Sequence, residues 1–596
     1  MDFELDKRVK DLLDSFEQEL GGANSVDQMD PIAKMMLVAV AQESRKIEDY
    51  VLSLGDRLTE RFCEYYIPRQ NVEAMPALAI VEAKLRAKRE AEAVTIGEGV
   101  NFTYKIRDGK HTLNFLPLFR TFILPYNEIC TLNKNLFRSA TGDVNIMMGD
   151  ANSLWIGIDC PSEVQSLRGL SMMIEGTGGV VPEHIYVGTN GHELEFADMN
   201  RVEEIDVLEP FDAQQSSNIF FSIMKHWQEV LLNMGDSLML YITDPSVDRD
   251  IFKPKAYPRQ FQNWLESEML DRFSGSSIWL RMDFPEGYVV PDNCRIKINM
   301  LPIVNVEVDS ITLTQSSPIA KLQRNDGSFF LQVVETSTAA HKQGFSMSTD
   351  EIIVRDFDVA SYNNGDLFRE VRSLYHHFID DYYAFIDYNG IKDGDTIKQL
   401  RDLVNRIGKG VGNYTSKHNY DSGVYVMKNM NQYPQSSSTR VSYATTLGRL
   451  GNSPKVGELV ENKKSPLLER ELRFVFPGTG GSDKVGRDER YEFLRYYSLT
   501  NDRLYTKKDI DGFLRKEIIT EFGKEEYRRI TIKLKIEGTG GDNSLLRGLY
   551  IYLEFKDAKN YEKAVRDSFA QRMHQQILNK SCISLPLVIK LVNKDQ

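Results

Sequence analysis

The sequence predicts a β-rich α+β chain of several domains: an N-terminal helical region followed by several mainly antiparallel β domains with inserted helices. Three observations carry this. At 596 residues the chain is too long for one core, given roughly 150 residues per domain. Hydrophobic residues make up 41% and charged residues 27%, and 27 Tyr and 30 Phe are present, which is the composition of a folded chain and not of a disordered one. From about Met75, short alternating segments separated by Gly, Asp-Gly and Pro recur, the pattern of strands and turns.

The elements follow in order. Leu5, Val9, Leu12, Leu13 and Phe16, followed by Leu20, stand at helical spacing among charged residues, and Gly21-Gly22 ends the pattern. This amphipathic helix either packs on its own domain or, being terminal and separable, docks on a partner chain. Asp30-Pro31 has the form of an N-cap followed by proline at the first helical position. A second helical region runs from there to about Ile67. In EYYIPRQNVEAMPALAIVEAKL, residues 64–85, helix gives way to the inert strand Ala77-Leu78-Ala79-Ile80-Val81; this reads as a hinge point between the helical region and a rigid sheet. Residues 93–119, 152–188 and 277–335 have strand-and-turn texture. Helical patterning returns at 219–232, 260–273 and 367–386. Residues 408–455, polar and rich in Gly and Ser, read as an exposed loop. From about Leu467 the order is strand, helix, long hairpin, helix, strand. The expected segments are a helical region at 1–70, a β-rich domain at 71–215, a mixed domain at 216–360, a helix-plus-loop region at 361–465 and an α/β domain at 466–596.

GTGG occurs at 176–179, 478–481 and 538–541. Each copy follows an alternating strand, so each is expected to be a Gly-rich hairpin turn. None opens a helix with Gly-Lys-Ser/Thr, so a phosphate loop is disfavoured.

The totals exclude several functions. A net charge of -13, from 73 basic and 86 acidic residues, disfavours a sequence-independent grip on nucleic acid or anionic lipid. The apolar run 35–41 is far short of a spanning helix, and the charged N-terminus lacks a signal-peptide core. A cytoplasmic location without direct membrane insertion is expected. Cys63, Cys130, Cys160, Cys294 and Cys582 are widely spaced, which argues against a zinc site or a disulfide framework. Glu370, His377 and Asp381 fall on one stripe of a predicted helix, as metal ligands would, but they also form the polar margin of an amphipathic helix. No nucleophile elbow or signature is present. The residues therefore assign no catalytic group, no metal site and no cofactor, and the 367–386 helix leaves a metal-dependent hydrolase or ligand-binding protein as the rival reading.

Four stretches, in order along the chain, resemble the TssF family, the wedge subunit of the type VI secretion baseplate. The first combines Asp30-Pro31, Tyr65-Tyr66-Ile67-Pro68 and Pro76-Ala77-Leu78-Ala79-Ile80-Val81. The second is Asn299-Met300-Leu301-Pro302-Ile303-Val304-Asn305, similar to the family's Asn-x-x-Pro-Val-Val-Asn. The third is Tyr497-Ser498-Leu499-Thr500-Asn501. The last is LRGLYIYLEF, with Arg547 and Gly548, followed by a helix and ILNKSCISLPLVIKLV. Arg69 stands where the family usually has His, no Phe-Pro-Glu-Lys-Phe segment is recognisable near 257–275, and Leu-Arg-Gly replaces Gly-Arg-Gly, which suggests a divergent, Bacteroidetes-like branch. The resemblance implies a non-enzymatic subunit that assembles with a TssG-like wedge subunit, a second copy of itself, a TssK-like adaptor, a TssE-like sheath initiator, a VgrG-like hub and the sheath, at the inner face of the inner membrane. A phage-like or extracellular contractile injection system is the neighbouring alternative. The amphipathic N-terminus and the 408–455 segment are the expected adaptable contacts.

Overall fold

The computed structural model describes residues 62–593 with breaks, the longer ones being 85–92, 200–236, 339–351, 358–422 apart from residues 402, 403 and 406, 429–437, 463–471, 539–546 and 557–562. Leu5, Val9, Leu12, Leu13, Phe16, Asp30-Pro31, Arg69 and the helical patterns at 219–232 and 367–386, with Glu370, His377 and Asp381, lie outside the described residues. The chain divides into two compact units: Ala74–Asp483, and a discontinuous one formed by Met1–Glu73 with Lys484–Gln596.

The Ala74–Asp483 unit is built on three sheets. In the six-stranded sheet the order is Glu461–Asn462, Phe102–Lys105, Thr112–Pro117, Met300–Val304, Leu78–Ala83, Leu472–Thr479. A four-stranded sheet runs Phe196–Asp198, Ser237–Ile242, Ser171–Glu175, Arg295–Ile298, and a seven-stranded one is centred on Ser153–Asp159 and Ser277–Asp283. Side-chain alternation stacks them, because successive residues of a strand point to opposite faces. Ala79, Val81, Leu301 and Ile303 enter one core, while Leu78, Ile80, Met300 and Val304 enter the next. That second core also takes Met173, Met239 and Tyr241 from the four-stranded sheet, whose other face sends Met172, Ile174, Leu238 and Leu240 into a third core. There they meet Leu154, Ile156 and Ile158, and Trp155 and Trp279 on the far face of the seven-stranded sheet enter a fourth. The Leu78–Ala83 strand is thus covered on both faces over Leu78–Val81, which is why that part of its sequence is apolar without alternation.

Two smaller three-stranded sheets, one centred on Ser438–Thr446 and the other on Gly423–Lys428, pack Leu313, Val441 and Tyr443 against Val424 and Val426. This corrects the reading of 408–455 as a loop. The Ser438–Thr446 strand pairs with Glu307–Thr314 on one side and Phe329–Thr338 on the other. Its Thr residues suit a pleated surface, and the hydroxyls of Thr445 and Thr446 donate to the Glu307 carbonyl and to Asn305 Oδ1, so its polarity does not signal exposure. The helix expected at 260–273 is also shorter: a 3-10 turn at Arg259–Asn263 and one helical turn at Ser267–Leu270. Phe261 and Trp264 turn inward there to meet Trp155, with ring centroids 5.2 and 6.4 Å away.

In the other unit, helices Arg487–Thr500, Lys507–Phe522 and Lys563–Lys580 share a core with the sheet Ile530–Gly538, Arg547–Phe555, Leu587–Asn593. The first two strands form the expected long hairpin. The third joins in parallel, which requires a crossover, and the 18-residue helix supplies it. Two helices precede the hairpin where one was expected.

GTGG forms a hairpin at only one of its three sites. At 538–541, Gly538 ends its strand paired with Arg547 of the Ile530–Gly538/Arg547–Phe555 hairpin, and 539–541 lie outside the described residues. At 176–179 the turn instead links the four-stranded to the seven-stranded sheet, with Gly176, Gly178 and Gly179 at φ 88°, 63° and 80°. The third case belongs to the site described next.

Candidate functional site

Of the residues singled out from sequence, Asn299, Pro302 and Asn305 lie in or flank the Met300–Val304 strand, and Ala79 and Ile80 pair with it. Asn299 is the single residue between Arg295–Ile298 in the four-stranded sheet and Met300–Val304 in the six-stranded one. To change layers within one residue the chain adopts φ 59°, a left-handed conformation that Asn tolerates better than other residues with a Cβ. Its side chain is fully buried. Oδ1 accepts from the Leu124 N–H at 2.9 Å, and Nδ2 donates to the carbonyls of Ala83 at 3.1 Å and Leu124 at 2.8 Å. Asn305 closes the other end. Its N–H donates to the Ala77 carbonyl at 2.8 Å and its Nδ2 to that of Asn114 at 2.8 Å, while Oδ1 accepts from Thr446 Oγ1 at 3.2 Å and the Leu447 N–H at 3.1 Å. Between them, Pro302 sits opposite Ile80. Its carbonyl accepts from the Leu118 N–H, so its absent N–H also faces the Thr112–Pro117 side, just where pairing with that strand begins; proline is tolerated inside the sheet for that reason.

A clasp of glycine backbone abuts Asn305. The segment Gly448–Asn452 packs against the end of the Leu472–Thr479 strand and the second GTGG. Asn452 Nδ2 donates to the Gly481 carbonyl at 2.8 Å and its Oδ1 accepts from the Gly481 N–H at 2.8 Å. A Cβ at Gly451 would lie 2.6 Å from the Ala77 Cβ and 3.0 Å from Asn305 Oδ1; one at Gly481 would meet the Gly448 carbonyl oxygen. These glycines allow close backbone approach and do not cradle an anion. The Arg449 N–H donates to Asp483 Oδ1 at 2.9 Å. Sequence reading missed Gly448, Gly451 and Asn452; the TLGRLGN string carries a signal of close packing only once its partner is known.

The other motif residues are placed as follows. Pro76, Ala79 and Ile80 are buried, whereas Pro68 is exposed after a helical turn that ends with the Ile67 N–H donating to the Cys63 carbonyl. In the hairpin Gly548 is buried and Arg547 exposed. Asn501 caps the Arg487–Thr500 helix at φ 47°, and Leu499 is 74% exposed. Beneath that cap lies a charge cluster. Lys516 is buried beside the rings of Tyr496, Tyr497 and Phe513, with Nζ 2.7 Å from Glu517 Oε1. Burial alone would lower its pKa, but Glu517, Tyr497 and Asp502 outweigh that and hold it well above the usual lysine value. Asp502 accepts from Lys580 Nζ at 2.7 and 2.8 Å and from Tyr496 Oη at 2.8 Å. Burial would raise the Asp502 carboxyl, but the Lys580 ammonium prevails and keeps it below the usual carboxylate range.

Among the described residues, no group of three or more His, Cys, Asp or Glu side chains is placed to hold a metal. No helix among them is long and apolar enough to cross a membrane.

Two solved structures resemble this chain. One is the type VI secretion system TssK-TssF-TssG baseplate subcomplex, similar to it at 11% identity and a TM-score of 0.40 over 94% of this chain and 95% of the matched one. The other is the baseplate complex from the type VI secretion system, at 10% identity and a TM-score of 0.32 over 99% and 95%. No protein-family model matches the chain, and no curated protein does. At these scores the functional reading falls to the chain's own residues.

Proposed function

We propose that this chain is a structural baseplate wedge component of a type VI secretion, contractile injection apparatus, related to TssF and without enzymatic activity. It assembles with TssG-like and TssK-like subunits and a second copy of itself around a VgrG-like hub, and supports a TssE-like initiator and the sheath. The work is mechanical and takes place in the cytoplasm at the inner membrane face: a rearrangement of packed contacts releases contraction. The observation that carries this reading is the ordered set of four sequence stretches, and above all Asn299–Asn305. That motif has a mechanical use here, since its two asparagines tie together strands 77–83, 112–117, 300–304 and the Thr446-Leu447 turn. A subunit that transmits force needs its layers fixed in register, and buried, fully satisfied amides supply that fixity.

The test is affinity purification of the tagged, full-length protein from its native host. TssG-like and TssK-like subunits are expected to co-purify, and deletion of the gene is expected to abolish sheath assembly. Recovery of no wedge, hub or sheath component, or normal sheaths in the deletion strain, refutes the proposal.

A further inference from the structure

We propose that the turn between the Arg487–Thr500 and Lys507–Phe522 helices is a docking site for an acidic protein segment bearing an apolar anchor. Leu499, a residue singled out by sequence, contributes nothing to the core: it is 74% exposed, and Tyr505, six residues on, is 67% exposed. Tyr491, Arg495 and Leu499 follow one another at i, i+4 and i+8 along one exposed stripe of the helix. Arg495 on that stripe, and Arg503, Lys507 and Lys508 in the turn and helix that follow, are all exposed. No described carboxylate pairs with Arg495, Lys507 or Lys508. Three nearby acids are committed internally: Asp502 to Lys580 and Tyr496, Asp509 to the N–H groups of Tyr505 and Thr506, and Asp511 to Arg515.

Two features separate this patch from an ordinary solvated face. Lys507 and Lys508 occupy the first turn of a helix, after the Thr506 cap, where the helix dipole disfavours cations. They work against the stability of their own helix, in a chain whose net charge is -13. The turn is also held rigid before any partner arrives. Asn501 and Asp502 take φ 47° and 61°, Asp502 is clamped by Lys580, and the Leu504 N–H donates to the Lys580 carbonyl at 3.0 Å. A preorganised turn loses little entropy on binding. Exposed Leu and Tyr side chains, flanked in sequence by cations that no described carboxylate pairs, complement carboxylates placed around an apolar side chain. A nucleic acid is the less fitting occupant, because a central leucine offers nothing to phosphate and the acidic chain repels a polyanion.

The test uses the full-length protein and labelled synthetic amphipathic peptides that share one leucine spacing and carry Glu, Gln or Lys at the polar positions. A Glu peptide with Ala in place of Leu and a single-stranded RNA complete the set, and binding is read by fluorescence anisotropy. The Glu–Leu peptide is expected to bind about tenfold or more tightly than the Gln version, to weaken with added salt, and to lose binding to Leu499→Asp and to Lys507→Glu/Lys508→Glu. Thermal unfolding should show both variants folded, with Lys507→Glu/Lys508→Glu no less stable than the parent because removing first-turn cations relieves the helix dipole. Absence of binding by the Glu–Leu peptide, equal binding of the Gln peptide, binding that survives Leu499→Asp, or tighter binding of RNA overturns the proposal.

Discussion

Replacing Asn299 by Ala tests the idea that a buried amide at a layer change holds the central sheets together. The substitution leaves the Leu124 N–H without its acceptor in a fully buried setting, a loss of about 1–3 kcal/mol. It also places Ala at φ 59°, costing about 1 kcal/mol more. Destabilisation of about 2–4 kcal/mol is expected on these grounds. Asn299→Gly removes the same amide without the backbone strain, so it should be milder by about 1 kcal/mol. Asn299→Asp keeps the shape but turns a carboxylate oxygen toward the carbonyls that Nδ2 now meets at 3.1 and 2.8 Å. Burial and those carbonyls raise its folded pKa above the unfolded value near 4. Its stability is therefore greatest below about pH 4 and is lost as pH rises through the folded pKa. All four tryptophans of the sequence fall between residues 74 and 483, and Trp155, Trp264 and Trp279 pack together in one core of that unit, so urea titration followed by tryptophan fluorescence reports on it. A shift of less than about 0.5 kcal/mol for Asn299→Ala, the range of ordinary surface substitutions, refutes the argument. A glycine variant as damaging as the alanine one refutes its backbone half.

Gly451→Ala should destabilise the same unit by about 1–3 kcal/mol through overpacking against Ala77 and Asn305, whereas Gly178→Ala, with open space around it, should cost only the left-handed strain of about 1 kcal/mol; fluorescence melts rank the pair. In the other unit, the depressed carboxyl of Asp502 contributes stability above the ordinary carboxylate pKa of 3.8 and loses it as pH falls through the lower folded value. Amides of the Lys507–Phe522 helix should accordingly lose hydrogen-exchange protection on acidification, with a weaker pH dependence in Asp502→Asn, and equal pH dependence in both proteins would count against the clamp. Burial pushes the Cys130 and Cys294 thiols up to about 12 and about 11, Cys63 and Cys160 are buried, and Cys582 is exposed. A chromogenic disulfide reagent at neutral pH should therefore modify one thiol rapidly, located at Cys582 by peptide mapping, and all five only after denaturation.

The sequence determined what local periodicity and side-chain chemistry can encode. The apolar run at 77–81 announced a strand, the 530–555 hairpin and its flanking helix and strand were legible, and the Asn-x-x-Pro-x-x-Asn motif pointed to the strand that ties the sheets. What the sequence left open concerned partners distant along the chain. GTGG reads the same at 176–179, 478–481 and 538–541, yet it serves as a layer-changing turn, a packing surface and a hairpin end, because its role is set by what approaches it. TLGRLGN reads as loop until the backbone of 478–481 closes on it, since a glycine needed for close approach looks like a glycine needed for freedom. Residues 62–73 and 484–593 share one unit although 410 residues of chain lie between them, and no local pattern encodes a core assembled from two ends. Burial and hydrogen-bond satisfaction are properties of the whole packing, so only the tertiary structure could decide that Asn299 is a buried corner and Leu499 an exposed one.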